Sequence, residues 1–176
     1  MENNKKGIVL LYTGNGKGKS TAAFGQALRA AGHDWPVCII QFIKANKRTG
    51  EARGFAGLVD KVEFHVMGTG FIFSAEDREE AVKAAREAFA FAREKIMSGQ
   101  YRMVVLDEFT YLFNYGLVDW QDIKDLIENR PADLHLVITG RNDSKRLIDA
   151  ADLVTEMKEI KHPYQAGFKA RKGIEF

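Results

Sequence analysis

A chain of 176 residues, 45% hydrophobic and 28% charged, is long enough to bury a sizeable core, and we expect one domain spanning residues 1–176. The net charge of +2 gives no indication of nucleic-acid binding, and no run approaches the ~18 apolar residues of a transmembrane helix. A single cysteine and the polar residues 1–6 argue against a disulfide framework and a signal peptide, so we expect a cytoplasmic protein with no membrane partner.

The first two predicted elements flank a glycine-rich turn, TGNGKGKS, at residues 13–20. Ile8–Tyr12 has the apolar composition of a buried strand, and Thr21–Arg29 contains good helix formers with one apolar side. Glycines in such a turn let consecutive backbone N–H groups surround an anion at the start of a helix. Lys19 adds a charge for terminal phosphates, and the Ser20 hydroxyl is placed to bind Mg²⁺. The turn therefore predicts a phosphate-binding loop, although a threonine replaces the first glycine of the usual pattern.

Continuous apolar runs alternate with helical or loop segments along the rest of the chain. Such runs indicate strands that are covered on both faces, so we predict an α/β fold with a mostly parallel sheet flanked by helices. Two further helices are predicted, Ala75–Ser98, which Gly99 ends, and Asp119–Asn129, which ends before Pro131. The predicted strands are Ile8–Tyr12, Val37–Phe42, Val62–Val66, Met103–Leu106, Leu134–Thr139 and Leu153–Met157.

Two stretches show no regular pattern. Residues 44–58 follow a strand end and carry several charges and glycines, which is typical either of a functional loop or of a flexible exposed one. Residues 158–176 mix basic and aromatic side chains. This C-terminal stretch would either close over a ligand or wrap the edge of the sheet, and the sequence leaves both alternatives open.

Further strand ends carry polar residues suited to a nucleotide site. One apolar run ends at Asp107 and Glu108, and the carboxyl ends of strands form the ligand-binding edge of an open α/β sheet. A carboxylate there can hold Mg²⁺ directly or through water, which predicts a nucleoside triphosphate bound together with the metal. At another strand end, Arg141 would pair with phosphate oxygens or form a structural salt bridge. The same two alternatives, a phosphate contact or a structural one, apply to Gln41 and Lys44 at the end of the second strand.

The sequence does not single out an acceptor site of the kind that ordinary phosphoryl transfer requires, although Glu108 could position a nucleophile. Two aromatic residues, Phe71 and Phe73, lie on a glycine-containing stretch before the long predicted helix. Their spacing alone favours core packing, whereas two exposed rings would suit a flat apolar ligand. Both interpretations stay open at this point.

Taken together, these residues resemble the P-loop type of corrinoid adenosyltransferase. The resemblance extends from about Ile8 to the C-terminus. Its more specific parts are the long loop, the aromatic stretch and the C-terminal signature. The matching stretches are the phosphate loop with Ala22-Ala23-Phe24-Gly25, Gln41-Phe42-Ile43-Lys44, Gly50-Glu51, and residues 67–73, 105–111, 139–141, 151–156, 161–163, 166–167, 169–170 and 173–176.

The resemblance implies transfer of the 5′-deoxyadenosyl group of ATP to the cobalt(I) of a corrinoid, with release of intact triphosphate. Cobalt(I) is itself a strong nucleophile, so the missing acceptor machinery would not be needed. The family fold is a parallel sheet with flanking helices, which we expect here as a P-loop, RecA-like architecture, usually assembled as a homodimer. Because no flavin or iron–sulfur motif is found, an external reductant such as a reduced flavoprotein is implied.

Residue by residue, the resemblance assigns Lys19, Phe71 and Phe73 to catalysis, and Ser20 and Glu108 to Mg²⁺. The two aromatic side chains would lie beneath the corrin ring, in the space of the lower axial ligand. There they would favour a four-coordinate cobalt(II) that is easier to reduce. The implied nucleotide-binding residues are Gly14, Asn15, Gly16, Lys17, Gly18, Lys19, Ser20, Thr21, Gln41, Lys44 and Arg141.

Two other functions fit parts of the same pattern. A P-loop kinase or ATPase acting on a small molecule would need only the phosphate loop and the Asp107-Glu108 pair, and would form ADP. A carrier protein would bind ATP or a corrinoid without turnover. The nature of the products separates these alternatives from the adenosyltransferase.

Overall fold

In the computed structural model, which describes residues 6–43, 49–58, 60–68, 76–141 and 145–174, six strands form one sheet. The strands are β1 Val9–Thr13, β2 Val37–Gln41, β3 Val62–Val66, β4 Met103–Asp107, β5 His135–Thr139 and β6 Leu153–Glu156. They lie in the order β3-β2-β4-β5-β1-β6, and every neighbouring pair is parallel. The predicted α/β fold and all of the predicted strands are therefore confirmed.

Helices cover both faces of the sheet and include the three that the sequence predicts. Within the described ranges they are α1 Lys19–Gly32, α2 Gly50–Phe55, α3 Glu76–Met97, α4 Thr110–Asn114, α5 Trp120–Glu128 and α6 Lys145–Ala150. Gly99 follows α3 with a φ of 68°, as expected of a glycine that ends a helix. No helix among the described residues has the length and apolar character needed to cross a membrane.

The stretch after β2 is more regular than the sequence predicts. Residues 50–55 form α2, and a 3₁₀ turn, Ala56–Leu58, follows it. The helix begins at Thr49, whose Oγ1 accepts a hydrogen bond from the N–H of Ala52 at 3.1 Å. A six-residue helix is too short to show an apolar period, and its glycines favour a loop assignment. Residues 44–48, at the start of the same stretch, lie outside the described residues.

Alternate side chains of the central strands enter two separate hydrophobic layers. Ile39 and Val105 pack on one face with Ala27 of α1. Ile40 and Leu106 pack on the other face in the layer that includes α3 and α5. Because neighbouring residues of each strand are both buried, the strands appear in the sequence as unbroken apolar runs.

The sheet brings the carboxyl ends of β1, β4 and β5 side by side. β5 lies between the other two strands and pairs Thr139 with Tyr12 of β1 and Ile138 with Leu106 of β4. The phosphate loop follows β1, Glu108 follows β4, and Arg141 follows β5, so all three reach one edge of the sheet. This edge is where a ligand site is expected.

Candidate functional site

The phosphate loop turns through glycines in the left-handed conformation. Gly14 has a φ of 92° and Gly18 a φ of 115°, values that residues with a Cβ rarely adopt. The N–H of Gly16 donates to Met157 O at 2.7 Å, and a Cβ at Gly14 would lie 2.4 Å from the same oxygen. The segment after β6 therefore packs directly against the loop and leaves no room for side chains at these positions.

Backbone carbonyl groups hold the two lysine side chains of the loop. Lys19 Nζ donates to Gly16 O at 2.6 Å, which folds this side chain back over the loop. Lys17 Nζ donates to Ile174 O at 2.7 Å and ties the loop to the C-terminal segment. Positive charge is thereby concentrated beside the N–H groups at the start of α1, where the helix dipole also favours an anion.

A cavity of about 520 Å³ opens beside the phosphate loop, within the size range of small-ligand sites. The structure brings together here most of the predicted site residues, namely Asn15–Thr21, Glu108 and Arg141. The C-terminal segment, whose role the sequence left open, forms part of the wall. The lining residues are Asn15, Gly16, Lys17, Gly18, Lys19, Ser20, Thr21, Glu51, Glu108, Tyr111, Thr139, Gly140, Arg141, Glu159, His162 and Ile174.

The two adjacent carboxylates at the end of β4 have different environments. Asp107 is fully buried, and it accepts hydrogen bonds from Gln41 Nε2 and Thr139 Oγ1, each at 2.8 Å. Thr139 Oγ1 in turn accepts from the N–H of Glu108 at 2.8 Å. Glu108 lines the cavity and has a φ of 61°, a conformation that costs a non-glycine residue about 1–3 kcal/mol. The buried network around Asp107 therefore fixes the backbone that presents Glu108 to the cavity.

Arg141 lines the cavity in an exposed position. Its carbonyl oxygen accepts from Thr110 Oγ1 at 2.9 Å and from Asn114 Nδ2 at 2.7 Å, so α4 holds its backbone. A Cβ at Gly140 would lie 1.7 Å from Thr110 Oγ1, which explains why glycine precedes it. The Arg141 guanidinium forms no ion pair with any described carboxylate. The choice between a phosphate contact and a structural salt bridge therefore remains a prediction for Arg141.

Several predicted site residues do not line the cavity. Gln41 is fully buried, and it supports Asp107 rather than contacting the open space. Gly14 shapes the turn of the loop beneath Met157. Lys44, Phe71 and Phe73 lie outside the described residues, so their predicted roles remain predictions.

Sequence reasoning assigned no role to four polar residues that line the cavity, Glu51, Tyr111, Glu159 and His162. Tyr111 lies three residues after Glu108. If the short helix α4 had been predicted, this spacing would have indicated that Tyr111 faces the same cavity as Glu108. Burial raises the pKa of the Tyr111 hydroxyl, which therefore stays protonated and able to donate. The other three belong to the two stretches that showed no regular pattern. Glu51 and His162 fall in stretches that match the family, but nothing in the sequence indicated that they line a cavity.

A second cluster of ligand-type side chains lies away from the cavity, on β2 and β3. Ligand atoms of Cys38, Glu63 and His65 all lie within 4.8 Å of one another. Glu63 Oε2 accepts a hydrogen bond from Lys95 Nζ at 2.8 Å, and Lys95 Nζ also donates to the Tyr101 hydroxyl at 3.2 Å. The ammonium group already neutralises the carboxylate, and Cys38 is fully buried. We interpret the cluster as a structural ion pair beside a core cysteine.

Cys38 is expected to react with a thiol reagent only after the protein unfolds. Burial raises the pKa of its thiol to about 12, so the reactive thiolate should be about 10³-fold scarcer at neutral pH than for an exposed cysteine. Labelling with a chromogenic disulfide in buffer and in denaturant measures the effect. The chain has one cysteine, so the denatured sample gives the reference of one thiol per chain. Labelling of the native protein at the rate of an exposed cysteine would contradict this interpretation.

Comparison with known proteins relates nearly the whole chain to one family. Residues 5–176 match the family described as ATP:corrinoid adenosyltransferase BtuR/CobO/CobP. A corrinoid adenosyltransferase of Pseudomonas aeruginosa is 40% identical over 173 residues, which cover 98% of this chain and 85% of the relative. One from Sinorhizobium is 40% identical over 179 residues, 98% of this chain and 82% of the relative. One from Escherichia coli K12 is 38% identical over 175 residues, 98% of this chain and 87% of the relative.

Proposed function

Because the chain belongs to the ATP:corrinoid adenosyltransferase family, a family of transferases, we propose that it transfers the 5′-deoxyadenosyl group of ATP to the cobalt(I) of a corrinoid. The corrinoid is cobalamin or a precursor of it, and the second product is intact triphosphate. The observation that carries the proposal is a single cavity in which the phosphate loop, Lys19 and Glu108 meet. Such a cavity suits three linked phosphates that leave together.

The reaction depends on stabilising a leaving group rather than on activating a nucleophile. The electron pair of cobalt(I) forms the bond to ribose C5′, and the C5′–O bond breaks with its electrons leaving on the triphosphate. Cobalt is thereby oxidised from cobalt(I) to cobalt(III). Negative charge grows on the departing oxygen, and the loop N–H groups and Lys19 are the groups that would stabilise it. Holding the phosphates also fixes C5′ in position for attack.

The donor set of the cavity fits Mg²⁺, which we infer to accompany ATP. The Ser20 hydroxyl and the Glu108 carboxylate line the same cavity and offer oxygen ligands, which this hard cation prefers. When bound, the cation would supply positive charge to the triphosphate. The hydrogen bond from the Glu108 N–H to Thr139 keeps the backbone beneath this carboxylate in place.

We assign the roles of Phe71 and Phe73 from the family resemblance. Their rings would lie beneath the corrin and favour a four-coordinate cobalt(II). An external reductant such as a reduced flavoprotein would then supply the electron that converts cobalt(II) to cobalt(I). Homodimeric assembly and a cytoplasmic location likewise remain predictions.

Phe71→Ala and Phe73→Ala are expected to reduce activity more in an assay that starts from cobalt(II) with a biological reductant than in one that starts from pre-reduced cobalt(I). The reason is that the rings would act on the reduction step, which the second assay bypasses. The measurement is the ratio of the two initial rates for each variant and for the unaltered protein. Equal losses in both assays would assign the two rings to core packing.

Anaerobic incubation with ATP, Mg²⁺ and chemically reduced cobalamin tests the proposed function directly. We expect the visible spectrum of cobalt(I) to be replaced by that of an alkylated corrinoid with a cobalt–carbon bond. A kinase or ATPase would consume ATP without this change. A carrier would bind ATP or the corrinoid and leave both chemically unaltered, so either result would contradict the proposal.

A further inference from the structure

The hydroxyl group of Thr139 joins the ends of β4 and β5 at the point where their backbone pairing stops. The last paired residues of the two strands are Leu106 and Ile138. One residue further along, Thr139 Oγ1 donates to Asp107 Oδ1 and accepts from the N–H of Glu108, each at 2.8 Å. Glu108 has turned into the left-handed conformation, and a side-chain oxygen, in place of a backbone carbonyl, accepts its N–H. The hydroxyl group therefore takes the place of the next backbone hydrogen bond between the strands.

Asp107 sets the direction of this hydroxyl group. Each oxygen of the Asp107 carboxylate accepts one hydrogen bond, Oδ1 from Thr139 and Oδ2 from Gln41 Nε2. A hydroxyl group has a single proton, so once Thr139 donates to Asp107 only its lone pairs are left for Glu108. Asp107 and Gln41 are fully buried, and Thr139 is 1% exposed. Thr139 is therefore committed to the Glu108 backbone and has no hydroxyl proton left for a ligand.

Thr110 makes the reverse connection, from the segment after β4 to the segment after β5. It lies on α4, two residues after Glu108, and its Oγ1 donates to Arg141 O at 2.9 Å. Asn114 Nδ2 on the same helix donates to the same carbonyl oxygen at 2.7 Å. Thr110 is 1% exposed and packs against Gly140, where a Cβ would lie 1.7 Å from Oγ1. The two segments are therefore in such close contact that neither can shift without the other.

We propose that Thr139 and Thr110 are positioning residues for adenosyl transfer. Thr139 fixes the backbone of Glu108, the proposed Mg²⁺ ligand. Thr110 fixes the backbone of Arg141, one of the predicted phosphate contacts. Because each threonine belongs to the opposite segment, the two cavity residues keep a fixed spacing, and one Mg–triphosphate can contact both. The inference rests on the proposed function in taking Mg–ATP as the ligand.

The first test removes the Thr139 hydroxyl group with Thr139→Val, which keeps the shape of the side chain, and restores it with Thr139→Ser. In the ligand-free protein, the Glu108 amide should exchange with solvent about tenfold faster in the valine variant, the effect of losing its hydrogen bond. NMR of a labelled sample measures this rate. The serine variant should exchange as slowly as the unaltered protein.

The same variants are then compared in ATP binding, measured by calorimetry with and without Mg²⁺. Thr139→Val should weaken binding in the presence of Mg²⁺ about tenfold, the usual effect of losing a partner behind a metal ligand, and leave Mg²⁺-free binding unchanged. Because Asp107 also loses a donor, the valine variant should unfold at a lower temperature, so binding is measured where all variants are folded. Thr155→Val, on the exposed strand β6 and outside the cavity, is the matched control and should bind as the unaltered protein does.

Double variants separate a positioning role from a structural one. If Thr139 acts through Glu108, adding Thr139→Val to Glu108→Gln should cause no further loss of Mg²⁺-dependent ATP binding or of transfer rate. Thr110→Val should weaken tripolyphosphate binding about fivefold, the effect of one hydrogen bond, and Thr110→Ser should restore it. Combined with Arg141→Met, Thr110→Val should have no further effect.

Three results would overturn the inference. The first is a Glu108 amide that exchanges in the unaltered protein at the rate of an exposed amide, a measurement that does not depend on any variant folding. The second is an equal loss of ATP binding with and without Mg²⁺ in Thr139→Val. The third is a full additional loss in the double variants, which would assign the hydroxyl groups to fold stability. If the expected binding pattern is found but no cobalt–carbon bond forms, the proposed function fails while the positioning of Glu108 and Arg141 stands.

Discussion

Replacing Lys19 with alanine is expected to lower the rate of adenosyl transfer by about 10²-fold or more, the usual effect of removing one group that stabilises developing charge. The Lys19 ammonium is held over the phosphate loop by its hydrogen bond to Gly16 O, so it is positioned before the ligand arrives. A preorganised charge acts mainly on the departing triphosphate, whose charge grows in the transition state. We therefore expect kcat to fall by a larger factor than the affinity for ATP. Single-turnover rates with pre-reduced cobalamin measure kcat for this step.

The control for this substitution is Lys124→Ala on α5. Lys124 is part of a surface ion pair with Glu128, with 3.8 Å between Nζ and Oε1, and it does not line the cavity. Exposed pairs of this kind contribute about 0–1 kcal/mol to stability, so the control should be folded and fully active. A Lys19→Ala protein that transfers the adenosyl group at the rate of this control would remove Lys19 from the site.

Glu108→Gln is expected to reduce the transfer rate by a similar factor, about 10²-fold, and to weaken the dependence of ATP binding on Mg²⁺. Glutamine keeps the size of the side chain but replaces an anionic oxygen ligand with a neutral amide. The second readout, ATP affinity with and without Mg²⁺, separates a metal-binding role from a general effect on the reaction. The neighbouring buried network includes the backbone N–H of residue 108 and should be unaffected.

Glu128→Gln provides the matched control, since it makes the same chemical change on the surface of α5. The thermal unfolding temperature of both variants should stay close to that of the unaltered protein. If Glu108→Gln retained the full Mg²⁺ dependence of ATP binding, the carboxylate would not be a ligand of the cation. Its strained backbone would then need another explanation.

The central strands were predictable from the sequence because both of their faces are buried. All five residues of β2 are buried, and the first four, residues 37–40, form an unbroken apolar run. β6 was predicted for the same reason, but its environment differs. Leu153 and Val154 are 40% and 39% exposed, because β6 is the edge strand that follows β1 in the sheet. The element was predicted correctly, whereas the expectation that both of its faces are covered was wrong.

The different environments of Asp107 and Glu108 could not be deduced from the sequence. Two adjacent acidic residues at a strand end look equivalent, and only the family resemblance selected Glu108 rather than Asp107 for the metal. Their separation depends on the left-handed conformation of Glu108 and on hydrogen bonds from Gln41 and Thr139, which come from two other strands. Contacts between residues so distant in the chain leave no local pattern.

The phosphate loop and the rest of the cavity wall show the same contrast. The loop was predictable because its glycines, its lysine and its serine lie within eight consecutive residues, so the local sequence contains the whole anion-binding turn. Other parts of the wall come from α2 and from the C-terminal segment. Both of these stretches had no regular pattern, and the position of Glu51 depends on a helix that begins at the Thr49 cap.

Analysis of the phosphorus-containing products by NMR tests most directly whether the loop holds a leaving triphosphate. The protein would be incubated anaerobically with ATP, Mg²⁺ and reduced cobalamin, and the cobalt–carbon bonds formed would be counted by absorbance. We predict one tripolyphosphate for each cobalt–carbon bond, with no accompanying ADP. Formation of ADP and orthophosphate in step with ATP consumption would contradict the account.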